Sequence, residues 1–106
     1  MYRKRPQPPQ PDRIRTTHHS SRWIDHRFFR QGFDQALTKT EKLLYLVLAA
    51  VSNREGVSLY SDTRMADFLD TRHLRELTSA RDELVARNLI AFKDGIYQVL
   101  ELPPHP

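Results

Sequence analysis

Arginine is the side chain with the most chemistry to offer in this sequence. Arg72 and Arg75 stand three residues apart in a run of helical spacing, with Thr71, Thr78 and Ser79 beside them. At about 100° per residue, positions three apart share a helix face. A guanidinium there can grip phosphate or guanine through two donors, and short hydroxyls allow a close approach. Other chemistry is scarce. The chain has no cysteine, which removes zinc-finger ligands and thiol nucleophiles. His18, His19 and His26 have no carboxylate at ligand spacing to complete a metal set. There is no glycine-rich phosphate loop, nucleophile motif or pair of carboxylates. The chain is therefore expected to be non-enzymatic, with no cofactor, metal or small-molecule ligand.

The charge is unevenly distributed. Of 106 residues, 17 are Lys or Arg and 13 are Asp or Glu, a net charge of +4. Residues 1–22 hold Arg3, Lys4, Arg5, Arg13, Arg15 and Arg22 against Asp12 alone, which gives +5. The remainder, with eleven basic and twelve acidic residues, sums to −1. A cationic arm on a near-neutral domain implies phosphate contact through the arm. That arm contains Pro6, Pro8, Pro9 and Pro11 and almost nothing apolar, so residues 1–22 are expected to be a disordered, basic, proline-rich segment. No apolar run approaches the ~20 residues of a membrane span, and no secretory signal pattern is present, so a cytoplasmic location is expected.

The elements that must position these residues lie between 23 and 102, with 103–106 (Pro-Pro-His-Pro) as a tail. Trp23-Ile24-Asp25 reads as a short strand or extended lead-in. His26–Phe33 reads as one helical turn that buries Phe28, Phe29 and Phe33. Thr38 with Glu41 forms a capping-box pattern and predicts a helix to about Asn53. Every residue from Leu43 to Val51 is apolar but for the Tyr45 hydroxyl, so this helix must be covered all round, by the fold or by a second subunit. Gly56 serves as a left-handed cap, Val57–Tyr60 as a short strand, and Ser61 caps a helix carrying Met65, Phe68 and Leu69.

Asp70-Thr71-Arg72 breaks that helix, and a second one follows over 72–87. Leu74, Leu77, Leu84 and Val85 line its inner side. Arg72, Arg75, Glu76, Ser79, Asp82, Glu83 and Ala86 line the outer side. Arg81 falls in the middle of the apolar stripe, where an unpaired charge is costly, and Glu41 or Asp67 is the expected partner. Leu89–Phe92 and Ile96–Leu100 flank Asp94-Gly95, a strong hairpin signal because a type I′ turn needs positive φ at both central residues. Lys93 is the one cation this hairpin presents.

These pieces resemble the winged helix-turn-helix superfamily, above all the N-terminal domains of plasmid and phage replication initiators and small bacterial transcription regulators. The resemblance rests on the aromatic turn ending at Phe33, on Leu37-Thr38-Lys39-Thr40-Glu41-Lys42-Leu43-Leu44-Tyr45, and on Ser58-Leu59-Tyr60-Ser61. It also rests on Ala80-Arg81-Asp82-Glu83-Leu84 leading to Asn88-Leu89-Ile90. It departs from the superfamily at Asn88, where glycine is common, and at Arg72-His73-Leu74-Arg75-Glu76, where Ser/Thr-rich runs are common. The resemblance implies a mainly α fold with a small antiparallel sheet. It implies a protein that binds double-stranded DNA in transcription or replication, with 72–87 as recognition helix. Arg72, Arg75, Ser79, Thr71 and Lys93 are then the contacts on the domain, and Arg3, Lys4, Arg5, Arg13 and Arg15 those on the arm. A homodimer through Leu43–Val51 would suit palindromic sites. The mixed charge of the helix face supports the alternative, a winged-helix module for protein–protein assembly in a replication or transposition complex.

Overall fold

A computed structural model describes residues 7–14 and 24–106. In order, the elements are α1 (Arg27–Arg30), α2 (Lys39–Val51), β1 (Val57–Leu59), α3 (Asp62–Leu69), α4 (Leu74–Ala86), β2 (Ile90–Lys93) and β3 (Ile96–Val99). The three strands form one antiparallel sheet in the order β1-β3-β2. A helix triad, a helix-turn-helix at α3–α4 and a terminal hairpin closed onto β1 make a mainly α, winged helix-turn-helix architecture.

Local chemistry sets most boundaries. At the start of α2 the Glu41 N–H donates to Thr38 Oγ1 (3.1 Å), and the Thr38 N–H donates to Glu41 Oε1 (2.9 Å), closing the expected capping box. Ser61 caps α3 by accepting from the Arg64 N–H at 3.1 Å. Asp70 ends α3 in the left-handed region (φ 53°). Asp94 and Gly95 both have positive φ, 52° and 80°, as the hairpin turn requires. Asn88 holds the left-handed position (φ 64°) between α4 and β2, where its short polar side chain is tolerated.

The core lies between the helices and the inner face of the sheet. Leu44, Tyr45 and Leu48 of α2 meet Met65 and Leu69 of α3, Leu77, Ala80 and Leu84 of α4, and Tyr97 and Val99 of β3. Phe28 of α1 stacks on Tyr45 with ring centroids 4.3 Å apart and planes 6° from parallel. Phe28 and Phe33 are buried, whereas Phe29 lies half-exposed, edge-on to Phe28. Burying these side chains stabilises the fold by roughly 25 cal/mol per Å² of apolar surface removed from water.

Several expectations are corrected. The inner stripe of α4 is Leu77, Ala80 and Leu84; Leu74 and Val85 remain 52% and 41% exposed, because α2 and α3 cover only the two central turns. The all-round burial expected for α2 is incomplete: Leu44, Tyr45, Leu48 and Ala49 are buried, while Leu43 and Ala50 are exposed. α2 ends at Val51, and Gly56 belongs to the turn into β1 rather than to a helix cap. Of the two forms expected at Trp23-Ile24-Asp25, the strand is absent at Ile24 and Asp25, which form an irregular lead-in to α1; Trp23 lies outside the described residues.

The largest correction concerns residues 7–14, expected to be part of a disordered arm. They lie as a strap across the outer face of the sheet. Gln98, central on that face and fully buried, accepts from the Gln10 N–H through Oε1 (2.6 Å) and donates from Nε2 to the Gln10 carbonyl (2.9 Å). Ile14 bridges to Leu100, and a short 3₁₀ turn at Pro11–Arg13 joins the two attachments. The physical reason is that β3 is apolar on both faces: Tyr97 and Val99 point to the helices, while Ile96 and Leu100 flank Gln98 outside. Both faces need cover, and the prolines of the strap lose less entropy on ordering than other residues would.

Gly56 has φ +79°, and a Cβ there would stand 2.7 Å from the Val99 carbonyl oxygen. Gly56→Ala is expected to lower stability by about 1–3 kcal/mol through backbone strain and this clash. Urea unfolding followed by circular dichroism measures it, and an unchanged midpoint would show that β1 can move away from β3 without loss.

Candidate nucleic-acid interface

The turn from Asp70 to His73 and the first turns of α4 carry the residues expected to read a ligand. Asp70 accepts the left-handed conformation, and its backbone N–H donates to Asp67 O (3.1 Å) while Thr71 N–H donates to Ala66 O (3.1 Å). These bonds close α3 and turn the chain sharply, which lifts Arg72 and His73 into solvent. Arg72, His73, Leu74, Arg75, Glu76 and Ser79 are all exposed. Neither Arg72 nor Arg75 forms a salt bridge with the described residues. Their guanidinium groups are therefore available, side by side, at the start of α4.

The other expected contacts fare differently. Thr71 is half-buried; its hydroxyl donates to Glu76 Oε2 (2.6 Å) and accepts weakly from the His73 N–H (3.4 Å). It braces the turn instead of facing a ligand, because Glu76 lies five residues on and reaches back over the helix start. Thr78 is likewise engaged, with its hydroxyl donating to the Arg75 carbonyl at 3.2 Å. Lys93 is exposed beside the hairpin turn, next to Asp94. Arg13, expected as a free cation of the arm, is a clasp for the strap. It donates from Nη1 to Asn88 Oδ1 and from Nη2 to the Glu101 carbonyl, both at 2.7 Å. Arg3, Lys4, Arg5 and Arg15 lie outside the described residues.

The acidic residues of the same helix are partly occupied. Glu83 accepts from Arg87 Nε at 2.6 Å, an i,i+4 pair, and Glu76 is drawn toward Thr71. Asp82 and Glu83 also stand two turns beyond Arg75, about 10 Å along the axis at 1.5 Å per residue. The N-terminal half of α4 thus holds both arginines of the outer face, with Glu76 turned back toward Thr71, and Asp82 and Glu83 lie beyond it. Two arginines, a serine and a histidine can engage an anionic or guanine-rich surface there without first breaking an ion pair.

Arg81 holds this helix against the rest of the fold. Its guanidinium Nη1 donates to Asp62 Oδ1 at 2.9 Å and to the Tyr97 hydroxyl at 3.0 Å, and it lies 4.1 Å from the centre of the Phe92 ring. The partner is Asp62, at the start of α3, and not Glu41 or Asp67. Helix spacing within α4 identified the buried charge but could not say which end of α3 crosses it. One side chain thereby ties α4 to α3 and to both strands of the hairpin. Burial opposes the charge on Arg81. The hydrogen bonds to Tyr97 and Asp62 and their attraction outweigh it, and its pKa is raised. Burial likewise pushes the Tyr97 hydroxyl above its ordinary value, against the opposing effect of Arg81.

Sequence reasoning missed the Gln10–Gln98 clamp and the Asn88–Arg13 contact. The available signal was Ile96-Gln98-Leu100, a lone polar residue between two apolar ones on one face of the last strand. Among the described residues, no group of three His, Cys, Asp or Glu side chains is placed to hold a metal, and no helix is long and apolar enough to cross a membrane. No family model matches the chain, and no curated protein or solved structure matches it.

A raised Tyr97 pKa means that the folded state keeps its proton where the unfolded chain begins to lose it. Stability is then fully present below the ordinary value of 10.0 and falls as pH rises past it. Thermal unfolding across pH 8–11 is expected to show this fall, and Tyr97→Phe to flatten it. Arg81→Met, which leaves Tyr97 and Asp62 without their donor, is expected to cost about 1–3 kcal/mol at neutral pH. A variant as stable as the parent would make the contact incidental.

Proposed function

We propose that the chain is a non-enzymatic DNA-binding protein, a regulator of transcription or replication in a bacterium or mobile element. The observation that carries this reading is the exposed Arg72–Arg75 pair, free of salt bridges to the described residues, at the start of the second helix of a helix-turn-helix. In this reading the N-terminal half of α4 enters the major groove, the geometry that suits a helix about 10–12 Å across. Arg72 and Arg75 reach guanine edges or flanking phosphates, and Ser79 allows the backbone to come close. Lys93 contacts the sugar-phosphate backbone beside the groove, and the basic arm adds sequence-independent attraction.

The half-exposed stripe on α2, with Leu43 and Ala50 at its ends and Leu46 and Val47 between, is the surface for a second copy on a palindromic site. The alternative is assembly with another protein. Leu74, 52% exposed in the first turn of the same helix, favours it, since an apolar side chain gains little from phosphates.

Fluorescence anisotropy with random duplex over a salt series tests the reading. The logarithm of the binding constant is expected to fall linearly with the logarithm of salt, by about 0.9 per phosphate neutralised. On a selected site, Arg72→Ala with Arg75→Ala is expected to lose about 1–3 kcal/mol per lost bidentate contact and to relax sequence preference. No duplex binding at low salt would leave the protein–protein reading in its place.

A further inference from the structure

Three aromatic rings enter the fold at α1, and the core takes only two of them. Phe28 is fully buried and stacked on Tyr45, and Phe33 is buried, but Phe29 stays 51% exposed. His26 already has helical backbone angles (φ −62°, ψ −17°). His26, Phe29 and Arg30 therefore stand three and four positions apart and share the outer face of α1. On the same turn His26, Arg27, Arg30 and Gln31 line a shallow hollow, and all four side chains carry N–H donors. The nearest acids in the sequence, Asp25 and Asp34, do not line it. Asp25 is engaged by α1 itself: its Oδ1 accepts from the Arg27 N–H at 3.0 Å, and its Oδ2 lies 3.9 Å from Arg27 Nη1. The side chains of His26, Arg30 and Gln31 are exposed and have no partner among the described residues.

We propose that the outer face of α1 is a contact site for single-stranded nucleic acid. Phe29 stacks on an unpaired base, and Arg30, with His26 and Gln31 beside it, holds the adjoining phosphate. The inference goes beyond the duplex reading and does not rest on it, since it uses neither α4 nor the hairpin. The juxtaposition of ring and donors is what favours a nucleotide. A phosphate accepts charge-assisted hydrogen bonds from a guanidinium, and a half-exposed ring offers its face to a base. Stacking of this kind tolerates any base, because every base has a π-face. An acidic peptide would satisfy the donors and leave the ring in water, whereas a purely apolar partner would bury the donors unpaired. The site is also held in place before anything binds. Phe28, stacked on Tyr45 of α2, meets Phe29 edge-on with centroids 5.0 Å apart and planes at 86°, which orients the outer ring. Arg27 donates from Nη2 to the Pro103 carbonyl at 2.6 Å, and its guanidinium carbon lies 5.8 Å from the centre of the Phe33 ring. Arg27 is thus the anchored cation of the hollow and Arg30 the available one. A preorganised site loses less entropy when it is occupied. Single strands are supplied wherever a duplex is opened, the class of reaction that begins replication.

The test uses the full chain and fluorescence anisotropy. It compares a labelled oligothymidylate of about 12 nucleotides with an abasic strand of the same length. The parent is expected to bind the thymidine strand about fivefold or more tighter than the abasic one, the difference being the stack. Phe29→Leu keeps apolar bulk without a π-face and is expected to bring that ratio close to one, while Phe29→Trp is expected to raise it. Arg30→Ala is expected to weaken both strands alike and to lower the salt slope by about 0.7, the counterion release of one single-strand phosphate contact. Oligouridylate run alongside distinguishes RNA from DNA as the source, and tighter binding of either than of the abasic strand supports the site. Circular dichroism checks that Phe29→Leu folds. If it does not, Phe29→Trp carries the test, with a raised ratio expected and an unchanged one overturning the stack. Equal affinity for the two strands in the parent, or a ratio that survives Phe29→Leu, overturns the proposal and leaves duplex binding through α4 standing. Displacement of the strand by polyglutamate of equal charge assigns the hollow to an acidic partner and overturns it as well. Loss of duplex binding with Arg72→Ala and Arg75→Ala, at an unchanged ratio between the single strands, supports a separate site on α1.

Discussion

Strand β3 has no side turned to water, and the rest of the molecule is arranged around that constraint. It is the middle strand of three, so its backbone is paired on both edges, with β1 on one and β2 on the other. Tyr97 and Val99 fill the face that meets the helices. Gln98 and Leu100, equally buried, fill the opposite face. An antiparallel sheet of a small domain commonly leaves one face solvated and reads as alternating apolar and polar residues. Here the alternation fails, and the chain supplies a second layer from its own N-terminal region. Gln98 makes that layer specific: an apolar residue would have tolerated many ways of covering the sheet, whereas the amide demands a peptide group at one position.

Arg81 imposes the complementary constraint on the helical side. A charge within the inner stripe of α4 needs partners, and those it has come from two directions, the start of α3 and the hairpin. The Phe92 ring beneath the guanidinium adds cation–π attraction and shields it from water. The angle between the two helices of the helix-turn-helix and the position of the hairpin therefore share one side chain. A partly buried ion pair contributes modest net stability, but loss of one partner leaves the other desolvated and unpaired. The arrangement discriminates against alternative packings of the same apolar residues, in which Arg81 would be stranded.

Cations are separated from acids along the surface by the same local devices that build the helices. Thr71 draws Glu76 back over the start of α4, and Arg87 holds Glu83 near its end. Arg72 and Arg75 are left without a salt bridge to any of the described residues. The outer face formally sums to −1, with both arginines at the start of the helix and Asp82 and Glu83 about two turns further on.

The amino-acid sequence by itself determined those features that depend on residues close together in the chain. The capping box at Thr38, the cap at Ser61, the helix break at Asp70-Thr71-Arg72, the positive-φ turn at Asp94-Gly95 and the order of helices and strands all follow from backbone preferences acting over a few residues. The exposure of Arg72, Arg75, Ser79 and Lys93 was legible too, because helix phase and turn position fix which side a residue takes. Only the tertiary structure decided what met across long separations. The partner of Arg81 lies 19 residues away, and the partner of Gln98 lies 88 residues away. It also decided that Leu74 and Val85 fall outside the packed turns of α4 and that Arg13 is a clasp. Composition marked residues 7–14 as too polar to fold, and for an isolated segment that is correct. They are ordered because a face of the sheet elsewhere in the chain needs cover and offers one buried amide to hold them.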